Sequence, residues 1–240
     1  MTGVQTCALP ISRLGGSVAT TVSKNWTVSF WVKRGKLSNG SQAGGGLLQA
    51  GADPQSSNSY AGENVFFTAD DQLSWVNVVG GNPNSYYFWI RTLAKFTDPS
   101  AWYHIVLVSD IVNSDVNERL RIYVNGDRQA VEYCPGYAGY GINAGTVSRW
   151  FNTSYPQYIG KGYGYYFDGV IAEFNAVDGR SVAVTEFGKR DYKTGAWVPK
   201  KYVGTYGTYG YYLPFTDNRP LTDGYIAYNP NYIGIGLPDS

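Results

Sequence analysis

The residue with the widest chemical repertoire in this chain is its single histidine, His104, which lies in an apolar run between Tyr103 and Ile105. Metal binding by histidine needs co-ligands, and nucleophilic catalysis needs a partner Ser or Cys held beside the ring. The chain has no second His and no G-x-S-x-G segment of the kind that exposes a catalytic serine. We therefore predict that His104 is a core residue with satisfied hydrogen bonds.

Glycoside hydrolysis is a second candidate chemistry, and it needs two carboxyl groups flanking the scissile bond. The five glutamates of the chain are Glu63, Glu118, Glu132, Glu173 and Glu186. Asp168 and Glu173 are five positions apart, so on a strand they would point to opposite faces of the sheet. The sequence therefore favours a protein that is not an enzyme.

Tyrosine and glycine form three clusters, GYAGYG at 136–141, GKGYGYY at 160–166 and GTYGTYGYY at 204–212. Tyrosine on turn-rich segments offers a rigid amphipathic contact surface at low entropic cost. Sugar rings can stack on such side chains, which makes the irregular stretch 136–166 a candidate glycan-binding surface. Its candidate ligand-binding residues are Tyr137, Tyr140, Trp150, Tyr155, Tyr163 and Tyr165. The alternative is that these tyrosines pack along sheet faces, which we favour for 204–212.

Composition and charge restrict the class of protein. The chain has 240 residues, with 30 Gly, 11 Pro and 22 Tyr, a composition typical of many short strands joined by turns. Its formal net charge is +1 and its basic residues are scattered, which argues against nucleic acid as a partner. No apolar run approaches the length of a membrane span. Outside the first eleven residues Cys134 is alone, so a disulfide scaffold is excluded.

Alternating segments predict strands over 26–34, 102–109, 119–125 and 166–177. The strand at 102–109 is apolar on both faces, as in a strand buried on both sides. Asn125-Gly126 predicts a type I′ hairpin turn, and Asp168-Gly169 predicts a second turn. A further hairpin is expected around Asp70-Asp71, and Trp102 and Phe167 are expected in the core.

The order of these motifs resembles the laminin-G-like branch of the concanavalin A-like lectin/glucanase jelly rolls. The resemblance rests on WTVSFWVKRG at 26–35, the W-Y-H strand, the Y-V-N-G hairpin, Y-I-G at 158–160 and F-D-G at 167–169. It is closest to the versions in virion and tail proteins of marine bacteriophages, in which a segment like WVPKKYVG follows the sandwich. The resemblance implies an all-β fold, an antiparallel two-sheet jelly-roll sandwich, but it discriminates weakly between functions.

Two sites are implied by the resemblance. Such jelly rolls often hold one Ca²⁺ at the rim through hard oxygen ligands. Here the candidate ligands are Asp70, Asp71, Asp110, Asn113 and Asp115, although Asp and Asn also simply favour turns. The glucanase members carry an E-x-D-x-x-E strand, and none of the five glutamates begins that pattern.

The chain divides into three parts on this interpretation. Residues 1–11, MTGVQTCALPI, match the translation of a common sequencing adaptor, so we expect them to be non-native and loosely attached. The jelly-roll domain with its C-terminal extension covers 12–218. An irregular tail, compatible with truncation, covers 219–240.

Three functions remain in competition at this stage. The leading hypothesis is a non-enzymatic binding or adhesion module of a phage virion protein, at the virion surface or extracellular, that recognises host glycans or contacts other virion proteins. The second is a purely structural assembly domain, and the third is a glycoside hydrolase. A homo-oligomer of the parent protein is compatible with the first two.

Overall fold

The computed structural model describes residues 4–5, 9–11, 24–38, 40, 44–51, 62–78, 86–134, 148–151, 157–163 and 165–215. Within them the chain forms two antiparallel seven-stranded sheets and two small two-stranded sheets. The predicted all-β jelly-roll sandwich is confirmed. No helix in the part of the chain just defined is long and apolar enough to cross a membrane.

The first sheet is built around a long bulged strand. Its strands are β1 (Val4–Gln5), β3 (Asn25–Arg34), β8 (Tyr103–Asp110), β9 (Leu120–Val124), β10 (Asp127–Arg128), β15 (Gly169–Asp178) and β18 (Tyr211–Leu213). Their order is β1-β15-β3-β8-β9-β10, with β18 also paired to β15. The bulge in β15 lies between Ala172 and Asn175, so β1 and β18 pair with different halves of the same edge.

The second sheet has the order β11-β7-β6-β5-β4-β12-β2. Its strands are β2 (Leu9–Ile11), β4 (Gly45–Gly51), β5 (Gly62–Phe67), β6 (Gln72–Val78), β7 (Tyr86–Lys95), β11 (Val131–Tyr133) and β12 (Gln157–Ile159). The predicted hairpin around Asp70-Asp71 is the β5–β6 connection. It is closed by a hydrogen bond from the Thr68 amide to the Gln72 carbonyl, 2.8 Å.

Two small hairpins and two short 3₁₀ helices complete the fold. The hairpins are β13 (Lys161–Gly162) with β14 (Tyr165–Tyr166), and β16 (Gly188–Arg190) with β17 (Trp197–Pro199). The 3₁₀ helices are η1 (Val116–Glu118) and η2 (Val184–Glu186). The second of these follows β15 and precedes β16.

The main core lies between the two seven-stranded sheets. On β3 the residues at even positions, Trp26, Val28, Phe30 and Val32, belong to this core. Phe30 stacks on Phe174 of β15, with ring centroids 5.7 Å apart, and Trp26 packs on Trp75 of β6 at 5.3 Å. Burial of these large apolar side chains is the main stabilising contribution to the sandwich.

The segment between β15 and β18, residues 179–210, is here called the C-terminal extension, and it covers the outer face of the first sheet. Val106, Val108 and Val177 on that face pack against Phe187, Tyr202 and Tyr206 of the extension, in a second buried cluster. Strand β8 is therefore buried on both faces, as its double-sided apolar pattern predicts. Since the extension supplies half of this cluster, it is an integral third layer of the described fold.

Of the two predicted turns, one forms as the sequence indicates and the other does not. Asn125 and Gly126 both have positive φ (52° and 88°), as a type I′ turn requires. Asp168-Gly169 is not a hairpin turn of this kind, because Gly169 already begins β15. The Asp168 carbonyl instead accepts the Gly35 amide at 2.8 Å.

Two further expectations need correction. Trp102 is half-buried and stands one residue before β8, so its predicted place in the core is wrong; Tyr103 takes that place, while Phe167 is buried as predicted. The described pieces of residues 1–11 are also not loosely attached. Strand β1 pairs with β15 and β2 pairs with β12, each at a sheet edge.

Candidate functional site

The outer face of the second sheet carries a cluster of aromatic side chains, here called the aromatic surface: Phe66 of β5, Trp89 of β7 and Tyr163. The Tyr163 ring lies face to face on Phe66, with centroids 4.6 Å apart and an interplanar angle of 7°. Trp89 packs on the same tyrosine at 5.7 Å and 52°. Phe66 is buried beneath its neighbours, whereas Trp89 and Tyr163 are half-buried and present the accessible parts of the rings.

Hydrogen bonds fix the orientation of these rings. The Trp89 indole Nε1–H donates to Ser74 Oγ at 2.8 Å, and the Ser74 hydroxyl donates to the Ile90 carbonyl at 3.2 Å. The Tyr163 amide donates to Asn64 Oδ1 at 2.8 Å. A ring held in one rotamer loses little conformational entropy when a ligand stacks on it, which favours binding.

The hairpin β13–β14 holds Tyr163 against the second sheet, and two glycines make its close approach possible. A Cβ built on Gly46 of β4 would lie 2.0 Å from the Gly162 nitrogen, and one built on Gly162 would lie 2.6 Å from the Leu48 carbonyl oxygen. Only glycine allows two backbones to approach this closely. The spacing of Gly and Tyr in GKGYGYY therefore serves to place an aromatic ring on the sheet.

Further aromatic and cationic groups line the same hairpin. Tyr165 is 39% exposed, and Tyr166 is 59% exposed. The buried Lys161 ammonium lies 4.4 Å from the centroid of the Tyr166 ring and donates to its hydroxyl at 3.1 Å. This cation–π contact orients the exposed ring of Tyr166.

The structure separates the six sequence-predicted ligand residues. Tyr163 belongs to the aromatic surface, and Tyr165 lies in the adjoining strand β14. Tyr137, Tyr140 and Tyr155 lie outside the described residues.

Trp150 requires a correction, because its expected exposure is wrong. The Trp150 side chain is 0% exposed. Its ring packs on Trp26 at 6.3 Å and on Phe151 at 6.5 Å. An indole enclosed in the core cannot stack on a sugar in this conformation, so its role is to anchor the chain.

A buried carboxylate holds the segment that contains Trp150. Glu63 of β5 accepts hydrogen bonds from Trp75 Nε1 (2.9 Å), Ser148 Oγ (2.7 Å) and the Arg149 amide (2.9 Å). Ser148 Oγ in turn accepts from Trp26 Nε1 at 2.7 Å. Burial raises the pKa of Glu63, and the three donors act against that rise. The network attaches residues 148–151 to the core.

At the predicted calcium position, Asp71 is engaged by an arginine. Its Oδ1 lies 2.7 Å from Nη2 of Arg34, whose side chain is fully buried. The Ser38 amide also donates to that oxygen at 2.9 Å, and these donors hold the pKa of Asp71 below its usual range despite desolvation. The Arg34 guanidinium thus supplies the positive charge at this end of the sandwich.

The other candidate calcium ligands occupy turns and a surface ion pair. Asp70 is exposed, with its Oδ1 3.9 Å from Lys95 Nζ. Asp110 accepts from Asn113 Nδ2 at 3.1 Å, and Asn113 accepts from the Asp115 amide at 3.0 Å. No group of three or more His, Cys, Asp or Glu side chains suited to a metal ion occurs in the described parts of the chain. A calcium site remains a prediction.

His104 is a buried core residue, as predicted. It is 0% exposed and stacks against Trp31 at 4.8 Å. Its Nδ1 accepts a hydrogen bond from Trp197 Nε1 at 2.8 Å, and its Nε2 is 2.8 Å from Ser29 Oγ. Since an indole N–H can only donate, Nδ1 carries no proton and Nε2–H donates to Ser29. Burial lowers the pKa of His104 to about 3.

Each glutamate of the chain has a partner in the structure. Glu63 is buried in the core network, and Glu173 accepts from the Tyr212 hydroxyl at 2.7 Å. The other three form ion pairs, Glu118 with Arg128, Glu132 with Arg91, and Glu186 with Lys200. Glu63 is enclosed, whereas the Glu132 and Glu186 side chains are 40% and 44% exposed within their ion pairs.

Sequence reasoning missed Phe66 and Trp89. The signal was present on β7, where Trp89 and Arg91 alternate with the core residues Phe88 and Ile90. Nothing in the alternation, however, indicates that Tyr163, 74 positions away, stacks between them.

Comparison with known proteins assigns the family. Residues 12–182 match the Laminin_G_3 family, described as the concanavalin A-like lectin/glucanases superfamily. The chain belongs to this superfamily. A search of curated proteins finds no match.

One solved structure in particular agrees with that fold. The carbohydrate-binding module CBM40 of the Ruminococcus gnavus IT-sialidase superposes with a TM-score of 0.54 at 12% identity, over 78% of this chain and 94% of that module. The native heptameric SAP-like pentraxin from Limulus polyphemus is similar with a TM-score of 0.42 at 13% identity, over 75% and 82% of the two chains. At such identities the likeness concerns the fold alone.

Proposed function

We propose that this domain is a non-enzymatic carbohydrate-binding module whose ligand stacks on the aromatic surface. The observation that carries the proposal is the set of three rings, Phe66, Trp89 and Tyr163, on the outer face of the second sheet. The apolar faces of sugar rings pack on such aromatics, and a few stacked contacts of about 0.5–1.5 kcal/mol each give the weak affinity of a binding module.

The two outer faces of the sandwich differ in a way that supports this placement. The C-terminal extension packs on the first sheet through Phe187, Tyr202 and Tyr206, so that face is internal. The second sheet presents half-buried rings instead. The likeness to a sialidase carbohydrate-binding module concerns fold, and it is compatible with the proposal without identifying the sugar.

The proposal that the domain is not an enzyme rests on its carboxylates. A retaining or inverting glycosidase holds two carboxyl groups about 5–10 Å apart across the substrate. In this chain Glu63 is enclosed in the core, and the remaining glutamates are bound to Arg, Lys or Tyr partners. Release of reducing sugar from the polysaccharide that binds best would contradict this part of the proposal.

We also propose that the domain is a surface module of a phage virion protein and contacts host glycans, which is the biological setting that the motif order suggests. Weak single sites become effective when many copies act together on one particle. The competing hypothesis of a pure assembly domain predicts no glycan binding. It also predicts no effect of surface aromatic substitutions.

A glycan array followed by titration of the best ligand tests the function. Tyr163→Ala should weaken binding about two- to tenfold, the equivalent of one stacked ring, while thermal unfolding remains cooperative. Tyr133→Ala is the matched control, since Tyr133 is a 42% exposed tyrosine on the edge strand β11 that pairs with the core residue Ile90 and so lies on the other face of the sheet from Trp89. Equal losses in both variants, or no binding to any glycan, would favour the assembly hypothesis.

A further inference from the structure

Positive charge is concentrated in one segment of the C-terminal extension. Residues 180–201 contain six basic and two acidic residues, which leaves thirteen basic and sixteen acidic residues in the rest of the chain. The extension is therefore cationic while the remainder is anionic. The formal net charge of the whole chain, +1, does not reveal this asymmetry.

Not all of this charge is neutralised locally. Arg190 forms a two-oxygen ion pair with Asp127, and Lys200 pairs with Glu186. Lys189, Lys193 and Lys201 are exposed, and no carboxylate of the described residues lies within ion-pair distance of them. These three ammonium groups therefore lie on the solvent side of the extension.

The single acid of the β16–β17 turn is directed into the turn. Asp191 Oδ1 accepts from the Lys193 amide (3.0 Å), the Thr194 amide (2.8 Å) and Thr194 Oγ1 (2.9 Å). These three bonds hold the pKa of Asp191 below its usual range, so it stays ionised while its charge is used to close the loop. The turn presents Lys193 and Tyr192 outward.

The same turn exposes an aromatic ring next to a cation. Tyr192 is 87% exposed, the largest value among the exposed large apolar side chains described, and the Lys193 ammonium lies 5.4 Å from its ring centroid. Lys189 pairs in register with Val198, on the side of the hairpin opposite to Arg190 and Trp197. We call Lys189, Tyr192 and Lys193 the basic hairpin surface.

The hairpin that carries this surface is rigidly docked. Trp197 of β17 donates to His104 and lies so close to Gly126 that a Cβ there would be 2.6 Å from its ring. Arg190 ties the hairpin to Asp127 with distances of 2.9 and 3.0 Å. Binding to a fixed surface avoids the entropic cost of ordering a mobile loop.

We propose that the basic hairpin surface binds an anionic polysaccharide that carries carboxylate or sulfate groups. Lysine ammonium groups attract the repeated anions, and the exposed face of Tyr192 packs on the adjoining sugar ring. A folded acidic protein is a poorer fit, because a stable protein interface needs on the order of 1,000 Å² of buried surface and a protruding turn offers a narrow contact. A linear polymer needs only a few contacts that repeat along its length.

This site lies on the first-sheet side of the sandwich and does not depend on the aromatic surface. The two proposals therefore fail separately. Tyr163→Ala tests the aromatic surface and should leave polyanion binding unchanged.

The test uses the full chain and immobilised sodium alginate, with neutral dextran as the uncharged comparison. At about 20 mM NaCl, where screening acts over roughly 20 Å, the chain should bind alginate and not dextran. Added salt should weaken binding steeply. The double variant K189Q/K193Q should bind about fivefold more weakly, the equivalent of two exposed ion pairs.

The matched control is K24Q/K95Q, which removes the same charge from positions outside the extension. Loss of binding in K189Q/K193Q, retention in K24Q/K95Q and an unchanged unfolding midpoint in both would support the proposal. Equal loss in the two double variants would overturn it, because net charge alone would then explain binding. No binding to alginate would overturn it as well. Equally tight binding of poly-L-glutamate would assign the surface to acidic polypeptides instead.

Discussion

The indole Nε1–H of Trp197 donates to Nδ1 of His104 at 2.8 Å, across 93 positions of sequence. The bond joins the C-terminal hairpin β16–β17 to the middle of the first sheet, and it selects the tautomer in which Nε2 is protonated. The imidazole stacks on Trp31 at 4.8 Å, and the Trp197 ring lies at its Nδ1 edge, with the two ring centroids 6.0 Å apart. A residue with catalytic potential is thus used to dock one layer of the fold on another.

Stability should fall in acid because of His104. Its pKa is lowered to about 3 by burial in the folded state, against 6.5 for an ordinary histidine. The unfolded chain therefore binds the proton more readily, so the stabilisation is complete above pH 6.5 and is lost as pH falls towards 3. The full effect is on the order of 5 kcal/mol.

Chemical denaturation between pH 7 and pH 4 measures this effect, with His104→Gln as the comparison. The raised pKa of Glu63 gives a slope of opposite sign, since its stabilisation is lost as pH rises. All other titratable groups are the same in both proteins, so the difference isolates His104. Identical pH slopes in the two would contradict the assignment.

Removing the indole donor should leave a buried acceptor without its partner. Trp197→Phe keeps an aromatic ring beside His104 but loses the hydrogen bond to Nδ1. We expect a loss of about 1–3 kcal/mol in the free energy of unfolding, the cost of an unsatisfied buried polar atom. Trp102→Phe is the control, because Trp102 is half-buried at the start of β8. A loss as large in the control would mean that ring size matters more than the hydrogen bond.

Glu63 should be essential for attaching residues 148–151. Glu63→Leu leaves Trp75 Nε1, Ser148 Oγ and the Arg149 amide without their acceptor. We expect destabilisation by about 3 kcal/mol or more in denaturant titrations. Glu63→Gln retains one carbonyl oxygen and should lose less. If the leucine variant proved the more stable of the two, burial of the carboxylate would outweigh its hydrogen bonds.

We expect the Arg34–Asp71 ion pair to contribute strongly to stability at the end of the sandwich where calcium is predicted. Asp71→Asn removes the charge opposite a fully buried guanidinium, and we expect a loss of about 3–5 kcal/mol. Asp70→Asn is the control, since the Asp70 side chain is exposed and its partner is 3.9 Å away; we expect a change below about 1 kcal/mol.

Calcium itself is tested by thermal unfolding of the unsubstituted chain with the ion and with a chelator. A ligand that binds only the native state raises the unfolding midpoint. Asp71 is already paired with Arg34, so the Asp110–Asp115 loop is the better candidate for the site. If calcium binds to that loop, the rise in the unfolding midpoint should be lost in Asp110→Asn and retained in Asp71→Asn. The same midpoint with calcium and with chelator would contradict the calcium prediction.

The sequence by itself determined the sandwich and the position of most strands. Alternation and turn chemistry are local properties: Asn125-Gly126 requires positive φ whatever surrounds it, and a strand apolar on both faces must be covered twice. The prediction that His104 is a core residue likewise needed no contact information, because the chain has no second His.

Tertiary structure alone decided which side chains meet. Trp150 and Tyr163 carry similar local signals, yet one is enclosed against Trp26 and the other stacks on Phe66 at the surface. Asp71 has the local signature of a turn residue or a metal ligand, and only packing shows that Arg34 reaches it. The physical reason is that burial and pairing depend on residues far apart in the chain, which are brought together by the register of the two sheets and by the extension folded over one of them.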